Sequence, residues 1–121
     1  MTTLALDRMF SGINQERIRI AFRWNREDDE ISLIFHLPNE VTVYMTGISF
    51  CQFRDSVNDL REERVVFGRA FSIDYERGLI QFFNKGACLT FETNEKLVKS
   101  FIYWASSFIS RINEERNAQA A

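Results

Sequence analysis

The chain runs through the same order of elements twice, and that repetition limits what it can fold into. Over residues 17–64, and again over 64–116, the apolar pattern passes through three stretches of period two and then one of helical period. The two helical stretches close on near-identical phrases, Leu60-Arg61-Glu62-Glu63-Arg64 and Ile112-Asn113-Glu114-Glu115-Arg116. The expected fold is a single α+β domain over residues 1–116. It is a pseudo-repeated βββα-βββα unit forming a mainly antiparallel sheet with two helices packed on one face. Ahead of the repeat, Leu6, Met9, Phe10 and Ile13 fall at helical spacing and Ser11-Gly12 supplies a stop, which predicts a short N-terminal helix over Thr3 to Phe10. Residues 117–121 are small or polar with nothing to bury, and predict a disordered tail.

Within the first half, Ile18, Ile20, Phe22 and Trp24 alternate with Arg17, Arg19, Ala21 and Arg23, the mark of a half-buried strand. The charged run 25–30 reads as a solvated hairpin loop, after which Ile31, Leu33, Phe35 and Leu37 continue the inward row and Pro38 turns the chain. Val41, Val43 and Met45 form the next row. Phe50, Phe53, Val57 and Leu60 then make a helical stripe, capped by Thr46 or Ser49. The second half predicts strands over 65–75, 79–83 and 87–92, with turns at Glu76-Arg77-Gly78 and Asn84-Lys85-Gly86 and a bulge at Gly68. Its helix carries Leu97, Val98, Phe101, Ala105, Phe108 and Ile112 on one face. The opposite face is Ser-rich and includes Tyr103.

At 121 residues, 45% hydrophobic and with twelve Phe, the chain can build a core without metal or disulfide staples. Cys51 and Cys88, far apart in elements of different type, read as two reduced, buried thiols. The N-terminus lacks a basic start and an apolar run, and no stretch approaches the roughly 18 apolar residues of a membrane span. The expectation is a cytoplasmic protein with no membrane contact.

Little in the chain supports catalysis. Nucleophilic catalysis needs a base beside an activated Ser, Cys or Lys, and His36 is the single imidazole, set between Phe35 and Leu37 with no nucleophile elbow in the sequence. Two Cys and one His fall short of the four ligands of a structural zinc site. The acidic run 27–30 lacks the alternation and glycine of a calcium loop, and the five glycines never assemble into a phosphate cradle. No enzyme activity, cofactor or metal is expected.

What remains is the outward sheet face, read as Arg17, Arg19, Arg23, Ser32, Ile34, His36, Thr42, Tyr44 and Thr46 in the first half and Ile80, Phe82, Cys88 and Thr90 in the second, with the side of Arg69 left open by the bulge. Its apolar members suit a protein partner or a second subunit, and the Ser-rich helix back with Tyr103 suits close approach of another surface. The leading expectation is therefore a non-catalytic protein-binding domain of inhibitor, immunity, adaptor or chaperone type, forming a homodimer. The alternative is single-stranded DNA or RNA binding, with Arg pairing to phosphate and aromatic rings stacking on bases. Net charge of −2 disfavours strong non-specific nucleic acid affinity, yet residues 1–26 hold five Arg against Asp7 and Glu16. The binding residues expected on these grounds are Arg19, Arg23, His36, Tyr44, Phe82 and Tyr103.

In element order the chain is similar to the Whirly and Pur-type single-stranded nucleic acid binders, which usually have four strands per repeat where three are read here. With the N-terminal helix included it is also similar to secretion-chaperone-like domains, which are small, acidic and dimeric. The first resemblance implies nucleic acid binding and the second a protein partner. Element order carries both, and no motif of either family is matched residue by residue.

Overall fold

The computed structural model describes residues 3–11 and 17–120, with side chains described over 18–118. The fold is α+β, with two antiparallel sheets and two helices. Strands β1 (Thr3–Ser11), β2 (Arg17–Asn25), β3 (Glu30–His36) and β4 (Thr42–Ser49) form a four-stranded meander, followed by helix α1 (Phe50–Arg61). Strands β5 (Phe71–Glu76), β6 (Leu79–Asn84) and β7 (Ala87–Glu92) form a three-stranded meander, followed by helix α2 (Glu95–Ala120).

Local chemistry sets most of these boundaries. Ser49 caps α1 with a full capping box: its hydroxyl accepts from Gln52 N at 3.1 Å, and the Gln52 side chain accepts from Ser49 N at 3.2 Å. The β5–β6 and β6–β7 hairpins close through two-residue turns, Arg77-Gly78 and Lys85-Gly86, with φ of 53°, 78°, 51° and 88°. Positive φ at both turn positions matches the right-handed strand twist, and glycine takes it without steric cost. In β4 the register slips between the Ile31/Ile48 and Leu33/Met45 pairs, and Gly47 at φ 71° marks the bulge. The extra residue resets the alternation, so Met45 and Ile48, three apart, both face the core.

The expectation of one sheet is corrected to two. Among the described residues no backbone ladder joins the meanders; at their junction Asn84 Nδ2 donates to the Thr46 carbonyl at 3.0 Å, beside the β4 bulge. The sheets meet instead through side chains. Phe35 of β3 lies 5.0 Å from Phe82 of β6 and 5.9 Å from Phe91 of β7, between ring centroids. Phe22 of β2 packs on Phe53 of α1 and on Phe101 and Phe108 of α2 at 5.5–5.8 Å. One apolar cluster therefore serves both sheets and both helices.

Several further expectations are corrected. The stretch expected as a short N-terminal helix is strand β1, paired with β2 from Thr3↔Asn25 to Ser11↔Arg17; Gly12 and Ile13 lie outside the described residues. Leu4, Leu6 and Phe10 also fit period two, and an open β2 edge offers a ladder that an isolated helical turn lacks. The strand expected over 65–75 begins only at Phe71, and Gly68, at φ 83°, belongs to the loop before it. The twin phrases diverge: Arg61 ends α1, whereas Ile112 to Arg116 continue within α2. Asn117 to Ala120, expected as a disordered tail, extend that helix, and Ala is the best helix former. Both cysteines are free as expected but exposed rather than buried. Ile80 and Phe82 face the core, not the exterior.

Phe82 supplies the test of this arrangement. Its ring touches Phe35, Phe91 and Phe101 and is fully buried. Phe82→Ala is expected to lose about 3–5 kcal/mol in urea denaturation. A loss below about 0.5 kcal/mol, the range of a surface substitution, would contradict the burial.

Candidate functional site

The outer face of the first sheet gathers four of the six expected binding residues. Arg19 pairs in register with His36, Arg23 with Ser32, and Ala21 with Ile34, whose other neighbour is Tyr44. Period two puts all of these on the face opposite Phe22, Leu33 and Phe35. Arg19 and Arg23 are exposed, Tyr44 is 64% exposed and His36 is half-buried. Ala21 and Ile34, in the middle of this face, are 2% and 4% exposed. Neither arginine makes an ion pair among the described residues.

The other two residues lie elsewhere. Phe82 is in the core, because Leu79, Gln81 and Phe83 take the outward positions of β6 and leave Ile80 and Phe82 inward. Tyr103 is 73% exposed on α2, a helix whose Phe101 and Phe108 pack on the inner side of β2. It therefore stands apart from the Arg19 face. The Ser-rich back of α2 is partly engaged, since Ser106 Oγ accepts from Arg61 of α1.

A second feature lies on the outer face of the other sheet and was missed by sequence reasoning. A groove of about 620 Å³ runs between β5–β6 and the loop that precedes β5. Its apolar lining includes Val65, Phe67, Leu79 and Phe83. Phe67 lines it and yet is 89% exposed, and Val65 and Leu79 are 49% and 38% exposed. The signal available in the sequence was Val65-Val66-Phe67 followed by glycine, but three successive bulky residues read as a strand.

One carboxylate holds this loop in place. Asp59, on α1 and buried, accepts an ion pair from Arg69 at 3.1 Å and a longer one from Arg64 at 3.6 Å. The two ends of the 64–69 segment are thereby pinned to the same side chain. On the groove floor stand Asp74 and Glu76, without an ion-pair partner among the described residues. Burial, the charge of Asp59 and then that of Glu76 push the Asp74 carboxyl above its ordinary 3.8.

No group of three or more His, Cys, Asp or Glu side chains is placed to hold a metal ion among the described residues. No described helix is long and apolar enough to cross a membrane. No family model, curated protein or solved structure matches the chain.

The Asp74 shift makes a pH prediction. The folded chain holds the Asp74 proton more tightly than the unfolded one, so the carboxylate destabilises the fold fully above its folded-state value. That penalty fades as pH falls toward 3.8. Asp74→Asn should raise the thermal midpoint at about pH 7 and lose that advantage by about pH 4. An equal gain at both pH values, or a loss at the higher one, would contradict the assignment.

Proposed function

We propose that this chain is a non-catalytic protein-binding domain, of the kind that serves as an inhibitor, immunity factor, adaptor or chaperone, and that it docks protein in the groove beside β5–β6. The observation that carries this reading is Phe67, which lines an apolar groove while 89% exposed. Leaving such a ring in water forgoes about 2 kcal/mol that a docked partner recovers. The aromatic knob, the apolar hole and a polar rim are the ingredients of an interface centre.

The occupant we assign is a second copy of the chain. A two-fold contact requires a patch complementary to itself. This one carries both a projecting ring and a groove large enough to take it. It also carries carboxylates, Asp74 and Glu76, and a cation, Arg77, none of them ion-paired among the described residues. Each copy can present its knob and cation to the other's hole and carboxylates.

Sedimentation equilibrium on the full chain tests this directly. A dimer is expected, with Phe67→Ala raising its dissociation constant at least about tenfold, the effect of losing a central anchor. Leu79→Glu should do the same without touching the loop. A chain that stays monomeric at about 100 µM, or a dimer unchanged by both variants, would remove the second copy from the groove.

A further inference from the structure

From the outer face of the first sheet we infer a second binding site, for single-stranded nucleic acid, built on Arg19, Arg23 and Tyr44. It is independent of the groove, which belongs to the other sheet.

Six of the twelve arginines are engaged within the molecule: Arg26 with Glu115, Arg54 with Asp55, Arg61 with Asn58 and Ser106, Arg64 and Arg69 with Asp59, and Arg116 with Asp29. Arg19 and Arg23, exposed on one strand, have no such partner among the described residues. Across the rest of the described face stand Ser32, Ile34, His36, Thr42 and Tyr44, with Glu30 the one acid, at the hairpin end. Asp7 of β1 holds the register position opposite Ala21. A cationic strip on a chain of net charge −2 calls for a polyanion at a defined place, not for general adhesion to one.

Geometry then selects the kind of polyanion. Arg19 and Arg23 are four residues apart on one strand, so their Cα atoms are about 13 Å apart, enough to contact separate phosphates. Tyr44 lies two strands to the side, about 10 Å from the arginine line, and its ring is 64% exposed. Between them Ala21 and Ile34 are buried. A nucleotide with its phosphate at one of the arginines of β2 can reach the exposed Tyr44 ring with its base, near the Ser32 and Thr42 positions. Stacking of that kind needs an unpaired base, which a duplex does not offer. An acidic protein segment would satisfy the arginines but leave the ring without a stacking partner.

The test is fluorescence anisotropy of a labelled mixed-sequence DNA single strand of about 15 nucleotides, titrated with the full chain between about 50 and 200 mM salt. Two phosphate contacts predict a salt slope of about −1.4, a weakening of about sevenfold over that range. Arg19→Ala and Arg23→Ala should each reduce the slope by about 0.7, and Arg19→Lys should keep it. Tyr44→Ala should weaken binding about 5- to 150-fold at an unchanged slope. A blunt duplex of the same length should bind more weakly. Absence of binding at the lower salt, a slope unaffected by the arginine variants, or equal affinity for duplex would each overturn the assignment. Displacement of the strand by poly-glutamate at matched charge, with no effect of Tyr44→Ala, would transfer the site to an acidic peptide.

Discussion

Contacts among phenylalanines, most of them edge-on, are central to how this molecule's two sheets are joined, within an apolar cluster that both sheets share. Phe22 and Phe35 reach inward from the first sheet, Phe82 and Phe91 from the second, and Phe53, Phe101 and Phe108 from the helices, with centroids 5.0–6.3 Å apart. Such pairs favour tilted approach, since the positive ring edge meets the negative face, and each adds about 0.5–1.5 kcal/mol to the area it buries. The core also decides the exterior. A strand has period two, so Phe22 facing in leaves Arg19, Ala21 and Arg23 facing out, and Phe82 facing in leaves Gln81 and Phe83 out.

Charged contacts then fasten the periphery to that core. At one end, the β2–β3 hairpin is tied to α2 by Arg26 with Glu115 and by Asp29 with Arg116 at 3.2 Å; Trp24 Nε1 also donates to Asp29 at 2.8 Å. Arg116 lies 4.4 Å over the Phe50 ring as well, so one guanidinium serves an ion pair and a stack together. At the other end, Asp59 holds Arg64 and Arg69 and thereby shapes the groove wall. The repeated Glu-Glu-Arg phrase is thus used in two ways. Arg64 folds back on its own helix, while Glu115 and Arg116 reach across to a hairpin.

The elements with a strong local signal were legible in the sequence. The stripes of α1 and α2, the Ser49 cap and the two glycine turns each rest on neighbours within a few residues. Where two patterns fitted, long-range pairing decided. Leu79, Ile80, Phe82 and Phe83 supply apolar groups to both sides of β6, and only contact with Phe35 and Phe101 assigns the inward pair. Thr3–Ser11 satisfied both periods until β2 was there to pair with it. Arg19, Arg23, His36 and Tyr44 came together because their strand pattern was unambiguous. The groove stayed hidden because it depends on a loop whose composition resembles a strand and whose path is set by Asp59, a residue on another element.

Arginine outnumbers lysine twelve to three in this chain, and the structure shows six of the twelve engaged within the molecule. A guanidinium presents a rigid fork and a flat face, so it can pair with a carboxylate and lie flat over a ring at once, as Arg116 does; an ammonium is attracted to either but has no planar fork with which to stack. Arginines spent in this way say nothing of partners. Three of those that the fold leaves without an ion pair among the described residues lie at the two surfaces described above. Arg19 and Arg23 share a strand beside an exposed tyrosine, while Arg77 sits at an apolar groove with two carboxylates. The first setting carries exposed guanidinium groups on one strand. The second holds both signs beside an exposed phenylalanine. The net charge of −2 averages over these two surfaces and describes neither.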